Sequence, residues 1–406
     1  MKLVDALDPR RLVARQLELD RERTRRFPEL QARKLARMSA SPLAFLRGAA
    51  PLFYEILQAR GELALGPEAE GWLVGDAHLE NFGAYSPNPG RESAPSGKHA
   101  AVFNLNDFDE AVPGPWRWDV LRLATSLILA GRELGVDGVR TLSLCATLIE
   151  TYVASAFDGA PLPPTPRPVS ALVLQVQSRS KKNLLAARTV IVNGQRKFAR
   201  GPRYQKLPTD VARRVPEALE TYRMRLPEAG RPTPEQLSLV DCALRIAGTG
   251  SLGALRVAAL TRGKGGPDGG WIFDMKEQFA PSAGLLLAGE LPAPADRVEI
   301  AFRACVESPP RMLATSKLGS TGLLVRRLAP QEDKLDLRQL KEVDLPPLAA
   351  YLGALLGLAH VRGSARPPGP TWSKAEQAEL LDHAVTLAGL HEAIYLALCL
   401  RLREPL

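Results

Sequence analysis

The sequence has few of the residues that build zinc sites and disulfide frameworks. Four of its 406 residues are cysteine and five are histidine. The cysteines lie far apart and form no CxxC pair, which argues against a zinc ribbon and against a disulfide framework. The histidines form no HExxH motif or other paired-ligand spacing, so a histidine metal centre is not indicated.

Long apolar runs are also scarce. From Met1 the chain runs into an arginine-rich segment without the apolar core of a signal peptide. The most apolar late stretch, residues 345–361, contains Pro346 and Pro347 and is shorter than the roughly 20 residues of a membrane span. We therefore expect a cytoplasmic protein without a membrane segment.

The composition is that of a folded, soluble chain. Hydrophobic residues make up 45% and charged residues 24%, which excludes a largely disordered or collagen-like protein. The length allows two or three domains or one large two-lobed domain. The formal net charge of +9 favours anionic partners such as phosphates, nucleotides, nucleic acid or acidic lipids, without choosing among them. Nucleic acid is the less favoured partner, and nothing in the sequence fixes the oligomeric state.

Hydrophobic periodicity and turn residues divide the chain. The arginine-rich residues 1–38 predict solvated helices or, as the second interpretation, a phosphate-contacting arm. The basic segment 179–203 predicts the solvated faces of a helix and a hairpin or, as the second interpretation, contact with phosphate or an acidic substrate. The other predictions are a surface loop at 84–100, a proline-rich linker at 158–168, strands at 71–74, 101–105 and 321–328, a hairpin at 245–278, helices at 42–62, 115–132, 138–157, 295–307, 345–361 and 374–402, and two helices within 209–245.

The first motif, GDAHLENFG (75–83), follows the first predicted strand directly. Asp76 and Asn81 lie five residues apart on a tight loop and can face one pocket. An aspartate can accept a hydroxyl proton, and an asparagine carbonyl can ligate a hard cation. The alternative is a polar turn that only caps itself through side-chain hydrogen bonds.

The second motif, NDFDE (106–110), follows the second predicted strand. Asp107, Asp109 and Glu110 repel one another, so the cluster is costly unless a cation or a basic group compensates it. The alternative is a solvated loop, but Phe108 within the cluster indicates an anchored turn. Glu110 is either a further metal ligand or a solvated carboxylate.

The third motif combines glycines with a lysine on a predicted strand. Gly248, Gly250, Ser251 and Gly253 lie between β-forming stretches, and Lys276 follows in the next one. Glycines let backbone amides approach phosphate oxygens, and the lysine adds a fixed positive charge. The flanks favour a β-hairpin over strand–turn–helix, which argues against a Rossmann dinucleotide site.

Together these motifs resemble those of protein-kinase-like enzymes, above all aminoglycoside and choline phosphotransferases. GDAHLEN is similar to their catalytic loop, NDFD to their metal-binding element, and the glycine loop with its lysine to their nucleotide clamp. The stretches SPLAFLRGAA, GDAHLENFG and NDFDEA and the PWRWD…RLATS helix more closely resemble an uncharacterised bacterial family, domain of unknown function 2252, over about residues 35–362.

The resemblance implies a role for each motif residue. Asp76 would be the catalytic base for the acceptor hydroxyl. Asn81 and Asp107 would complete the catalytic set and hold Mg²⁺ on the phosphates of ATP, with Asp109 as a further metal ligand. The glycine loop and Lys276 would grip the nucleotide.

The resemblance also implies supporting positions. Glu299 would bind the nucleotide-gripping lysine as its acidic partner, with Glu307 as the alternative. Asp119 resembles the buried aspartate that braces the catalytic loop. The strand 321–328 and the turn after it would meet the adenine. His78 either substitutes for the histidine that usually precedes this aspartate or is a packed polar residue.

The order of the motifs is reversed relative to ordinary kinases, because the catalytic and metal loops precede the glycine loop. The simplest explanation is a circular permutation of a two-lobed, kinase-like α+β fold. We expect a helical lobe with both motif loops over 1–168, a small nucleotide-clamping lobe over 169–335, and C-terminal helices over 336–406 that return to the helical lobe.

The predicted function is an ATP- and Mg²⁺-dependent phosphotransferase that acts on a hydroxyl of a small molecule or of a protein. Three alternatives remain open. They are nucleotidyl (AMP) transfer on the same fold, a nucleotide-binding pseudokinase without turnover, and a nucleic-acid binder that uses the basic arm.

Overall fold

The computed structural model describes residues 7–87, 101–266, 268–310 and 312–403. With 50% helix and 16% strand it is an α+β protein, as the sequence predicts. Most of the predicted loop 84–100 lies outside the described residues. The helices are α1 (Pro9–Arg23), α2 (Glu29–Met38), α3 (Pro42–Gly48), α4 (Ala50–Ala59), α5 (Gly61–Ala64), α6 (Arg117–Glu133), α7 (Gly138–Phe157), α8 (Arg167–Gln177), α9 (Lys181–Arg188), α10 (Thr209–Arg225), α11 (Pro294–Cys305), α12 (Leu345–Arg362) and α13 (Lys374–Arg401). The strands are β1 (Glu70–Leu73), β2 (Phe82–Tyr85), β3 (Val102–Leu105), β4 (Val112–Pro115), β5 (Thr189–Val192), β6 (Gln195–Phe198), β7 (Tyr204–Gln205), β8 (Leu239–Arg245), β9 (Arg256–Thr261), β10 (Trp271–Glu277), β11 (Ala314–Leu318), β12 (Thr321–Arg327) and β13 (Asp333–Lys334).

Helices α7 and α12 form the centre of the largest hydrophobic core. They approach closely because Gly353 has no side chain. A Cβ atom there would lie 2.2 Å from the backbone oxygen of Leu148. Tyr152 packs beside Trp372 at the same crossing, with ring centroids 5.3 Å apart. The early helix α7 and the late helix α12 therefore build one core.

Two late helical segments, Glu342–Arg362 and Lys374–Arg401, are long and apolar enough to cross a membrane. Within the most apolar window of the first, 72% of the residues are buried inside the fold, which is the behaviour of a core helix. The second packs on α1 and α6. The predicted shortness of this stretch is wrong, because Pro346 and Pro347 lie in the first turn of α12, where a missing N–H is tolerated.

A six-stranded antiparallel sheet forms the second half of the fold, in the order β11-β12-β10-β9-β8-β7. Helix α10 covers one face, where Tyr222 packs in one cluster with Val257 and Phe273. On the other face, Leu185 of α9 and Phe198 of β6 cover part of the strands. The rest of that face carries charged side chains directed towards the motif loops.

The structure corrects the secondary-structure prediction within 209–245. The first predicted helix is α10, but the second is absent from this described stretch, and residues 239–245 form β8. This segment pairs with β9, with Ala243 opposite Ala258, and both alanines are buried. Pairing between two neighbouring strands overrides the local helical preference. The predicted helix 42–62 is likewise divided into α3, α4 and α5.

Two small sheets hold the motif loops. Strand β1 pairs with β4, and Leu73 lies opposite Val112. Strand β2 pairs with β3 and with β13. The loop 75–81 follows β1, and the acidic turn 106–110 connects β3 to β4. Both loops therefore leave paired strands and lie side by side.

Candidate functional site

The motif loops and the glycine loop line one cavity of about 400 Å³, although 167 positions separate Asp109 from Lys276. The first two helices, α3 and β13 complete the wall, so the N-terminal helices are part of the cavity rather than simply solvated. The cavity is lined by Asp76, His78, Asn81, Asp107, Asp109 and Glu110 from the motif loops, Gly248, Thr249, Gly250 and Ser251 from the glycine loop, and Arg23, Lys34, Arg47 and Lys334 among the surrounding cations.

Asp119 on α6 braces the loop 75–81 from behind. Its Oδ2 accepts a hydrogen bond from the Val74 N–H at 2.6 Å, and its Oδ1 accepts one from the Gly75 N–H at 2.9 Å. The His360 Nε2 lies 3.1 Å from Oδ2, and the other ring nitrogen lies 2.8 Å from the Tyr152 hydroxyl. Asp119 is fully buried. The predicted bracing role of Asp119 is confirmed.

Asp76 combines an ion pair with a raised pKa. Its Oδ1 accepts hydrogen bonds from the Arg122 Nε at 2.7 Å and from the Nη2 of the same side chain. Burial raises the pKa of Asp76, Arg122 opposes that effect, and Glu110 adds to it, so that the pKa is about 7. A carboxylate with this pKa exchanges a proton readily near neutral pH.

His78 is a buried neutral ring beside this carboxylate. Burial lowers its pKa well below the usual range, and the nearby cation Arg47 lowers it further. The ring Nδ1 accepts a hydrogen bond from the Glu80 N–H at 3.1 Å. The proton of the neutral ring is therefore on Nε2, which lies 3.8 Å from the Asp76 Oδ2. His78 is thus a packed polar residue that also faces Asp76.

Asn81 ties the two motif loops together. Its Nδ2 donates to the Asp76 backbone oxygen at 2.6 Å, and its own backbone oxygen accepts from the Asn106 N–H at 2.9 Å. The side chain is buried and lines the cavity. Asp76, Asn81 and the acidic turn therefore move as one unit.

The acidic turn carries two carboxylates with different pKa values. The Lys276 Nζ forms an ion pair with Asp109 and lies 3.8 Å from the Asp107 Oδ1. Burial raises the pKa of Asp109, and the neighbouring Asp107 charge raises it further. Burial acts the same way on Asp107, but Lys276 and Lys334 outweigh it and lower its pKa to about 2. Asp107 is consequently the anionic member, and its side chain is 41% exposed to the cavity.

The oxygen atoms at this turn suit a hard cation that also binds phosphate. Asn81 and Asp107 line the cavity, and the buried Asn106 Oδ1 has no hydrogen-bond partner among the described residues. Within the same residues, no group of three acids, histidines or cysteines has metal-binding geometry. Mg²⁺ commonly binds through one or two carboxylates, with substrate phosphates and water completing its shell. The donor set fits that mode and not an all-protein cage.

The glycine loop lies against the N-terminal helices. Gly248 and Gly253 have φ values of +78° and +98°, and a Cβ atom on Gly253 would lie 2.5 Å from the Arg23 backbone oxygen. The Gly248 oxygen accepts a hydrogen bond from Arg37. Side chains larger than glycine at these positions would push the loop away from the cavity.

Cations surround one aspartate on the sheet face next to Lys276. The two carboxylate oxygens of Asp274 accept hydrogen bonds from Arg256, and Arg245 lies 2.5 Å from Oδ2. Burial would raise the pKa of Asp274, but these arginines outweigh it and hold the pKa well below its usual range. Arg326 lies opposite Asp274 in the strand register. Arg256, Lys276 and Arg326 therefore form a cationic roof over a small cleft of about 50 Å³ beside Asp107 and Asp109.

Two predicted contacts, those of Glu299 and Leu328, differ from what the structure shows. Glu299 lies away from Lys276, because its carboxylate accepts from the Thr315 N–H at 3.0 Å and pairs with Arg303 at 2.8 Å. The acidic partner of Lys276 is Asp109. Leu328, expected to meet the adenine, packs in the cluster of Leu185 and Phe198 and is buried.

The sequence did not single out several residues of the site. Arg122, the partner of Asp76, stands within the RLATS helix and looked like an ordinary helical charge. Lys34 and Asp20 form a buried ion pair at 2.5 Å in the cavity wall, within a segment that resembled solvated helices. Lys334 on β13 also lines the cavity. The sequence signal available for the charged residues on helices was their helical spacing from leucines of the core, which indicates a buried position.

Comparison with known proteins shows the family of this chain. Residues 26–400 match the family described as "Uncharacterized protein conserved in bacteria (DUF2252)", so the chain belongs to that family. The match covers the motif loops and the glycine loop and is longer than the resemblance seen in the sequence. No curated protein and no solved structure matches the chain.

Proposed function

We propose that the protein is a phosphotransferase that takes ATP with Mg²⁺ and transfers a phosphoryl group to a hydroxyl of a small molecule or of a protein. The observation that carries this proposal is the arrangement of the three motifs. Asp76 and the acidic turn share one cavity with the glycine loop, and Lys276 forms an ion pair with Asp109 of that turn. The fold proposal is a two-lobed, kinase-like arrangement in permuted order, divided near residues 168 and 335.

The chemistry assigned to the cavity is mainly positioning and charge neutralisation. Asp76 accepts the proton of the acceptor hydroxyl through Oδ2, because Arg122 occupies Oδ1. Arg122 and the brace at Asp119 hold the carboxylate in place. Lys276 and the glycine-loop amides bind the donor phosphates. Mg²⁺ would be held by Asn81 and Asp107 and would neutralise phosphate charge.

The test follows transfer from labelled ATP in the presence of Mg²⁺. We expect Asp76→Asn to lower the rate by about 10²–10⁴-fold, which is the usual contribution of a general base. Asparagine is preferred to alanine because its carbonyl oxygen can still accept hydrogen bonds from Arg122, so the buried guanidinium loses its counter-ion but keeps an acceptor. Asp158→Asn, at an exposed position, is the matched control. Full transfer by Asp76→Asn would contradict the assignment, and ATP binding without any transfer would indicate a pseudokinase.

Nucleotidyl transfer is the second candidate, and the cationic roof favours it. Arg256 and Arg326 lie beside Asp274 where a nucleobase would need apolar faces, and Leu328 is covered by the protein itself. Those cations would instead bind a triphosphate tail that enters the cleft first. ATP labelled at the α- or the γ-phosphate separates the two reactions. The product gains about 80 Da by phosphoryl transfer and about 329 Da by adenylyl transfer.

A further inference from the structure

A second cavity, of about 350 Å³, lies beside Ile246 and Ala247, the two residues that precede the glycine loop. Helices α2 and α9, the segment before β7 and the end of β8 form its walls. No carboxylate is among the residues that line it in the described part of the chain. Its charged lining is Arg33, Arg37, Arg188, Arg203 and Arg245, with Pro202, Ile246 and Ala247 between them.

Most of these arginines lack an anionic partner. Arg33 donates to the Pro202 backbone oxygen at 3.0 Å and Arg188 to the Tyr204 hydroxyl at 3.0 Å. Within the described residues, Arg245 alone among the five lies within ion-pair distance of a carboxylate, that of Asp274. Its Nε is nevertheless buried without a hydrogen-bond partner there. Five guanidinium groups thus converge with one compensating charge.

The charges around Arg37 also favour the binding of an anion in this pocket. Burial lowers the pKa of Arg37, and the charges of Arg33 and Arg47 lower it further. A partly buried guanidinium close to other cations gains from an added anion, because the anion offsets their repulsion. Guanidinium forks also match phosphate oxygens in geometry. The cavity volume falls within the roughly 300–1,000 Å³ typical of small-molecule sites.

We propose that this arginine pocket binds a small anion with two or more linked phosphate groups, at a site separate from the transfer cavity. None of the residues of loop 75–81 or of the acidic turn lines it. Arg37 donates to the Gly248 oxygen, and Ile246 and Ala247 lead into the glycine loop. The pocket therefore adjoins the segment that enters the glycine loop without sharing the motif loops of the transfer cavity.

The experiment titrates inorganic tripolyphosphate into the full-length protein by calorimetry, without divalent cations. We expect Arg33→Gln/Arg188→Gln to weaken binding at least tenfold, because each side chain provides charge-assisted hydrogen bonds to the ligand. Both residues are partly exposed, so the variant is expected to fold. The control is Arg213→Gln/Arg225→Gln, with the same charge change at exposed positions of α10.

A third variant, Lys276→Ala, separates this pocket from the transfer cavity. Binding that survives Lys276→Ala and is weakened at least tenfold in the pocket variant supports the proposal, whatever the transfer assays show. Binding lost in Lys276→Ala but kept in the pocket variant, or equal in every variant, overturns it. If the pocket variant does not fold, tripolyphosphate protection of Arg188 and Arg203 against phenylglyoxal in the native protein decides instead. Lack of protection also overturns the proposal.

Discussion

The brace at Asp119 allows a stability prediction that does not depend on the proposed activity. Asp119→Asn keeps the shape of the side chain but replaces one acceptor oxygen by an N–H donor. The remaining oxygen can accept from the Gly75 N–H, while the new amide group faces the donors at Val74 and His360. A buried polar group without a partner costs roughly 1–3 kcal/mol. With about two such groups, we expect the free energy of unfolding to fall by about 4 kcal/mol.

The assay is urea unfolding followed by tryptophan fluorescence, and the control is Asp137→Asn. Asp137 is an exposed helix cap that accepts from the Arg140 N–H, and asparagine caps about equally well, so the control should change stability by less than about 0.5 kcal/mol. A loss below about 1 kcal/mol for Asp119→Asn would refute the reasoning. It would mean that the loop 75–81 is held by its flanking strands alone.

Three further predictions test other parts of the molecule. If Asp76 is the base, kcat/KM should rise with pH and level off above about 7, because only the ionised carboxylate accepts a proton; a flat profile between about pH 5 and 9 contradicts this. Lys276→Met should weaken ATP binding at least tenfold in an equilibrium titration, since the lysine supplies the fixed charge of the roof; unchanged affinity removes it from the site. Gly353→Ala should destabilise the fold by several kcal/mol, about 3 or more, because its Cβ would collide with the Leu148 backbone oxygen. Gly389→Ala, with open space around it on α13, should be neutral or stabilising by up to about 1 kcal/mol, and equal thermal melting of the two variants would contradict the packing argument.

The sequence predicted the helices and the motif loops well because their signals are local. The predicted boundaries 138–157 coincide with α7, and those of α12 and α13 differ by one residue. The acidic turn was predicted from residue type and spacing and the brace at Asp119 from the family resemblance, and the geometry of the brace agrees. In contrast, β8 and β11 were missed, because a strand is stabilised by pairing with its neighbours, β9 and β7 for β8 and β12 for β11, more than by its own residues.

The partners of the site residues could not be predicted, because they come from distant segments. The resemblance implied that Glu299 of α11 is the acidic partner of Lys276, but Lys276 pairs with Asp109. The residue of α11 that contacts this turn is Arg297, which donates to the Asp109 backbone oxygen. Arg122 looked like any helical arginine until its carboxylate partner was known. Such choices depend on the packing of α11 and of the sheet, which a local pattern does not contain.

The hydrogen bond between Asp119 and His360 spans 241 positions, and it has a consequence for synthesis. Domains begin to fold during translation, from the N-terminus onward. Loop 75–81 and Asp119 leave the ribosomal exit tunnel well before α12, the helix that carries His360. A growing chain therefore holds loop 75–81 with an incomplete brace until α12 has been made. Fragments cut short before residue 360 would leave a buried acid open to water, which gives quality control a physical way to tell finished molecules from incomplete ones.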